Sequence, residues 1–173
     1  MNTLHRRSLL LFALAAPLLR AHAQARPSEA VSLRGTALQA PRTLSPADLA
    51  AQPATQIMEF AQSRGAPGAQ QRTTVRGVRL PGLIEPALTE AARADWKNLL
   101  VTVTATDGYR AQFTWAELTN TAGGAGVLLL FERDGHPLDE REGRIALLAT
   151  GDERLGARHV RNALTIEVRA IAP

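Results

Sequence analysis

The chain of 173 residues contains no cysteine. A disulfide, a thiolate metal site, a thiol nucleophile and a cysteine-linked cofactor are therefore all excluded. Small exported domains often depend on disulfides, so this one has to be held together by burial of apolar surface alone. Lysine is almost absent too, with nineteen arginines to one lysine, which indicates a bias in base composition rather than a function.

Established catalytic signatures are also missing. The sequence has no G-x-S-x-G, no H-E-x-x-H, no phosphate-binding glycine loop and no dinucleotide fingerprint. Beyond residue 23 only two histidines remain, His136 and His159, which makes a metal site between them weak. His136 lies in the Asp134–Pro137 turn, where a solvated position is expected.

The N-terminus has the features of a cleavable export signal. Arg6 and Arg7 precede an apolar run from Leu9 to Leu19, and Ala21-His22-Ala23 offers an A-x-A cleavage site. The run is shorter than the roughly 20 apolar residues of a membrane-spanning helix, and no later stretch is longer. We therefore predict a signal peptide over residues 1–23 and a periplasmic protein that is not membrane-embedded. An uncleaved N-terminal anchor is the alternative.

The paired arginines leave the export route open. His5-Arg6-Arg7-Ser8 followed by leucines, with Arg20 after the apolar run, is typical of a twin-arginine signal. An ordinary Sec signal with two adjacent arginines fits as well.

Removal of residues 1–23 leaves 150 residues, which suits one domain with a core of its own. It also leaves 17 basic and 16 acidic residues, a formal charge of +1. Since the arginines are scattered among acids, nucleic acid is not an expected partner. Residues 24–30 are predicted to be a short flexible lead and residues 31–173 the domain.

Hydrophobic patterning predicts a β-rich α+β domain with short helices. Leu99 to Thr106 alternates apolar and polar residues, as a half-buried strand does. The predicted strands lie over 31–35, 55–62, 73–76, 99–106, 109–113, 127–131, 144–149 and 164–170. Capping boxes predict helices that begin after Ser45 and after Thr114, and a third short helix is predicted over 80–88. A doubly wound sheet does not fit this order of elements.

Two loops carry candidate binding residues. Arg158, His159 and Arg161 lie between two predicted strands, where guanidinium groups can bind an anion or the edge of a heterocycle. Asp107 and Tyr109 follow a predicted strand, so that Tyr109 can stack on a flat ligand and Asp107 can accept hydrogen bonds from it. A solvated loop and a simple Asp-Gly hairpin turn are the respective alternatives.

A series of short motifs in a particular order resembles the sulfite-oxidase-like molybdopterin-binding domain family. The match covers roughly residues 31–170, and its motifs are Gly77–Leu80, Ala105–Tyr109, Phe113–Leu118, Arg133–Leu138, Gly143–Leu148, Arg158–Val160 and Ile166–Val168. The resemblance implies a mixed-sheet α+β fold with a pterin in a central cleft, close to the Asp107–Tyr109 turn and the Arg158 loop. Family enzymes bind molybdenum through one cysteine, expected here within about residues 61–76, and this chain has none.

Three functions are compatible with the absence of the cysteine ligand. The first is a periplasmic binding module for a metal-free pterin or similar heterocycle that reports it to a membrane-bound cyclase or kinase, as a resemblance to periplasmic pterin-binding regulatory proteins implies. The second is an oxidoreductase that binds molybdopterin without the usual cysteine, and the third is a scaffold that binds only protein. The first is the preferred hypothesis; it predicts no catalytic residue, no metal site and no bound molybdenum.

Overall fold

The computed structural model describes residues 27–64, 71–154 and 156–171. The predicted signal peptide and the first residues of the predicted lead lie outside them. The strands are β1 Val31–Arg34, β2 Arg42–Leu44, β3 Ile57–Arg64, β4 Gln71–Arg79, β5 Leu99–Ala105, β6 Arg110–Thr114, β7 Val127–Arg133, β8 His136–Pro137, β9 Ala146–Ala149, β10 His159–Val160 and β11 Ala163–Ala170.

The first sheet has the order β2-β1-β11-β5-β6. Its pairs are antiparallel except for β1 and β11, which run parallel with Leu33 opposite Ile166. The first and last strands of the domain therefore lie side by side in the middle of this sheet.

The second sheet has the order β10-β9-β7-β4-β3, with β8 paired to β7, and all its pairs are antiparallel. Its central strand β7 is buried over Val127–Phe131, because it is covered on both faces, as its continuous apolar run predicts. The mixed α+β class predicted from the sequence is confirmed.

The helices are short: α1 Pro46–Ala50, α2 Leu80–Ile84, α3 Glu90–Ala94 and α4 Trp115–Asn120. Single 3₁₀ turns lie at Ala54–Gln56, Glu85–Ala87, Trp96–Asn98 and Gly124–Gly126. Within the described residues, no helix is both long enough and apolar enough to cross a membrane.

The two capping boxes predicted from the sequence have different outcomes. At α1 both halves form, since Asp48 N donates to Ser45 Oγ at 3.2 Å and Ser45 N donates to Asp48 Oδ2 at 2.8 Å. At α4 the Thr114 hydroxyl accepts from Glu117 N at 3.1 Å. The Glu117 carboxylate does not return to the cap, because it pairs with Arg158 instead.

One hydrophobic core lies between the sheets and draws on both of them. Val31, Leu33, Val101 and Val168 of the first sheet are fully buried, as is Leu129 of the second. A smaller cluster comprises Val75, Leu128, Leu130, Leu138, Ala146 and Leu148.

The predicted flexible lead requires a correction at Ser28. This residue is 3% exposed, and its Oγ donates to Ile145 O at 3.3 Å. Its carbonyl accepts from Arg144 N at 3.1 Å. Ser28 therefore belongs to the packed domain, which begins before Val31.

Candidate functional site

The turn between β5 and β6 contacts the loop before β10. Tyr109 Oη donates a hydrogen bond of 2.5 Å to Ala157 O, across 48 positions of sequence. Asp107 Oδ1 accepts from Tyr109 N at 2.9 Å, and Gly108 takes a φ of 87°, which a glycine adopts without strain. Tyr109 remains 45% exposed, so its ring is accessible to a ligand.

The guanidinium of Arg158, next to Ala157, is held by two carboxylates. Its Nε donates to Asp152 Oδ2 at 3.0 Å, its Nη2 also donates to Asp152, and its Nη1 donates to Glu117 Oε1 at 2.5 Å. The guanidinium carbon lies 4.8 Å from the centroid of the buried Phe113 ring. Residues of β6, of α4 and of the turn after β9 thus hold Arg158 in position.

The carboxylates also determine the electrostatics of this cluster. Hydrogen bonds that Arg158 donates to Asp152 raise the pKa of Arg158 above its usual value; partial burial opposes that effect, and Glu117 adds to it. Two negative charges on one guanidinium leave a local excess of one negative charge. The cluster of Tyr109, Glu117, Asp152 and Arg158 is therefore better suited to a ligand edge that donates hydrogen bonds than to a free anion.

His159 and Arg161 belong to a second polar cluster. His159 Nε2 lies 2.9 Å from Glu142 Oε1, and the same carboxylate accepts from Arg133 Nη2 at 2.7 Å and from Arg133 Nε at 3.1 Å. Both partners are buried, with side-chain exposures of 6% for His159 and 8% for Glu142. Arg133 Nη1 also donates to Thr73 Oγ1 at 3.2 Å.

Burial of the Glu142 carboxyl would by itself raise its pKa. Hydrogen bonds from His159 and Arg133, together with the charge on Arg133, outweigh that effect and lower the pKa to about 2. Glu142 is thus a charged, buried group with its partners in place. Arg161 is exposed and borders a cleft of about 200 Å³ with Asp139, Arg141 and Glu142.

The predicted site residues therefore divide into two groups. Asp107, Tyr109 and Arg158 lie in one connected group, whereas His159 and Arg161 adjoin Glu142. No pattern in the sequence identifies their partners, which are Glu117, Asp152, Arg133 and Glu142. Glu117 stands three residues after Thr114, where its spacing indicates a capping box, and Asp152 stands in the loop before Arg158, where a solvated carboxylate is the ordinary interpretation.

No cluster of three or more His, Asp or Glu side chains suited to a metal occurs among the described residues. In the region where the resemblance implies a molybdenum ligand, residues 61–76, the sequence offers hydroxyl, amide and guanidinium side chains and no thiol. These groups do not fit molybdenum bound in the family's manner, because its protein ligand there is a soft thiolate.

A scan against protein-family models finds no match, and a search of the curated proteins finds no similar protein. The resemblance to the sulfite-oxidase-like family thus depends on the motifs and their order alone.

Proposed function

We propose that this chain is a periplasmic binding module of the sulfite-oxidase-like fold for a metal-free pterin or a similar heterocycle. The observation that carries the proposal is the hydrogen bond from Tyr109 to Ala157. It joins the two loops that the resemblance associates with a pterin cleft, although they are 48 positions apart.

The chemistry of the cluster around Arg158 suits the pyrimidine edge of a pterin. That edge carries an amino group and a ring N–H, which a carboxylate can accept, beside a carbonyl oxygen that a guanidinium can bind. Glu117 and Asp152 supply the carboxylates. Three of the five N–H groups of Arg158 contact these carboxylates, which leaves two for the ligand. The half-exposed ring of Tyr109 offers a flat apolar surface.

Reporting to a membrane-bound cyclase or kinase is the remaining part of the proposal. It comes from the resemblance to periplasmic pterin-binding regulators. A protein whose ligand changes no covalent bond can act only by altering what it contacts, so a partner is required for any effect.

Calorimetric titration with pterin, neopterin and biopterin, in oxidised and reduced forms, tests ligand binding. We expect saturable binding that Arg158→Ala weakens by about 10- to 150-fold, as the loss of a charge-assisted hydrogen bond implies. Glu117→Gln should weaken it as well, since it removes the charged acceptor while the cap at Thr114 stays intact. Arg42→Ala, at an exposed arginine of β2, is the matched control and should have no effect.

Absence of binding by the wild-type protein below millimolar concentration would overturn the proposal in favour of a protein-only scaffold. Binding that neither Arg158→Ala nor Glu117→Gln changes would keep the function and move the site elsewhere. Affinity capture from membranes, with and without the bound pterin, then tests for the cyclase or kinase partner.

An oxidoreductase that binds molybdopterin without cysteine is the second candidate. Elemental analysis of protein made in a host that supplies the cofactor distinguishes the two. We expect no stoichiometric molybdenum, because the thiolate ligand is missing from the sequence. A ratio of metal to protein near one would favour the oxidoreductase.

A further inference from the structure

A second cleft lies between residues 85–96, which include α3, and helix α4. It has a volume of about 380 Å³ and is lined by Glu85, Leu88, Arg93, Trp96, Trp115, Thr119 and Asn120. This volume falls in the range of small-molecule sites, about 300–1,000 Å³. None of the residues in the cluster around Arg158 lines it.

The apolar wall of this cleft consists of two indole rings and Leu88. Trp115 is 4% exposed and Leu88 is 1% exposed, so both are fixed by the core. Trp96 is half-buried against that core, and Lys97 Nζ lies 5.8 Å from the centroid of its ring. Rigid aromatic walls of this kind favour an apolar or aromatic group of a ligand.

The charged groups that line the cleft are the Glu85 carboxylate and the Arg93 guanidinium. Arg93 donates through Nη2 to the backbone carbonyl of Glu85, which fixes its position beside the cleft. Among the described residues, neither the Glu85 carboxylate nor the Arg93 guanidinium takes part in a salt bridge. Each charge is therefore available to a ligand group of the opposite sign.

We propose that this cleft binds a zwitterionic small molecule, namely an α-amino acid with an apolar or aromatic side chain. Its carboxylate pairs with Arg93, its ammonium group pairs with Glu85, and its side chain packs between Trp96 and Trp115. The inference goes beyond the proposed pterin function and does not depend on it, since the two sites share no lining residue.

The protein carries its own reporter for this test. Trp96 and Trp115 are the only two tryptophans in the chain, and both line the cleft. A ligand that enters the cleft should change the tryptophan fluorescence of the whole protein. Phenylalanine is a suitable probe, because its own emission does not overlap with that of tryptophan.

The probes are L-phenylalanine, 3-phenylpropionate, which lacks the amine, and phenethylamine, which lacks the carboxylate. We expect a saturable fluorescence change with L-phenylalanine at or below about 1 mM. Arg93→Gln should weaken the binding of L-phenylalanine and of 3-phenylpropionate about tenfold or more and leave the binding of phenethylamine unchanged. Glu85→Gln should weaken the binding of L-phenylalanine and of phenethylamine and leave the binding of 3-phenylpropionate unchanged.

Arg42→Gln and Glu59→Gln change exposed residues outside the cleft and should leave all three affinities as they are. Both cleft residues are exposed at the surface, so the variants should unfold at the wild-type temperature, which thermal melts verify. The proposal is overturned if none of the probes gives a saturable signal. It is also overturned if Arg93→Gln and Glu85→Gln affect the three probes alike.

Discussion

At the scale of single residues, Glu142 is a buried acidic group whose side chain is only 8% exposed. Its carboxylate is buried and accepts hydrogen bonds from Arg133 and His159. Because its pKa is lowered from 4.5 to about 2, the unfolded chain takes up a proton before the folded protein does as the pH falls. The stabilising contribution is thus complete above about pH 4.5 and is lost as the pH falls towards 2.

We expect Glu142→Gln to lower the free energy of unfolding at neutral pH by about 3 kcal/mol, since it leaves Arg133 without its charged partner. The difference from wild type should shrink between about pH 5 and pH 2. Urea unfolding of both proteins across this range measures it. Glu59→Gln is the control, because the Glu59 side chain is 70% exposed and its Oε1 lies as far as 4.0 Å from Arg76 Nε. A difference that does not vary with pH would contradict the expectation.

The candidate site could be predicted from the sequence only in part. Asp107, Tyr109 and Arg158 could be singled out because they stand in motifs with recognisable chemistry. The partners of Arg158 and His159 could not, since Glu117 is 41 positions from Arg158 and Glu142 is 17 from His159. In a sequence, charged residues so far apart cannot be distinguished from solvated loop residues, because only the fold determines which of them are in contact.

At the scale of elements, β4 contains an irregularity at Gly77. The pairing of β4 with β7 shifts in register between Arg76 and Gly77. A Cβ atom at Gly77 would lie 2.8 Å from Leu129 O and 2.9 Å from Leu130 Cδ2. The backbone of β7 approaches so closely there that β4 tolerates no side chain at this position.

We therefore expect Gly77→Ala to destabilise the protein by about 1–3 kcal/mol, the usual cost of overpacking. Gly123→Ala is the matched control, because the only atom near its added Cβ is Thr121 Oγ1 at 3.9 Å, and it should change stability by less than about 0.5 kcal/mol. Chemical denaturation of the two variants compares them. Equal stabilities would show that β7 moves aside at no cost.

Elements with a strong hydrophobic pattern or a capping box could be predicted, whereas a short element with neither could not. The alternation in β5 and the apolar run of β7 identify these strands at once. Nothing in the sequence predicts helix α3, because its five residues display no helical period and Ala92, three residues after the cap Thr89, completes no capping box. In β11 a bulge between Ala163 and Thr165 leaves Leu164 45% exposed, although strict alternation would bury it.

At the scale of the whole molecule, the order of strands along the chain differs from their order in space. The α+β class could be predicted because it depends on which elements occur. The position of β11 between β1 and β5 could not, since strand order depends on pairings between distant segments.

The central position of β11 also determines when the protein can fold. Ala163, Ile166 and Val168 fill the middle of the first sheet and are fully buried. A chain leaving a ribosome presents β1, β2, β5 and β6 first, but the β1–β2 pair and the β5–β6 pair are not joined until β11 has emerged. During vectorial synthesis the β1–β2 and β5–β6 pairs can form early, but the first sheet cannot be completed until β11 is free.

We expect a chain that ends at Asn162 to show no cooperative thermal unfolding, whereas one that ends at Ile171 should unfold like the full-length protein. Circular dichroism melts of the two truncations provide the comparison. Cooperative unfolding without β11 would mean that the second sheet folds by itself. Otherwise the first sheet stays incomplete until its central strand has been synthesised.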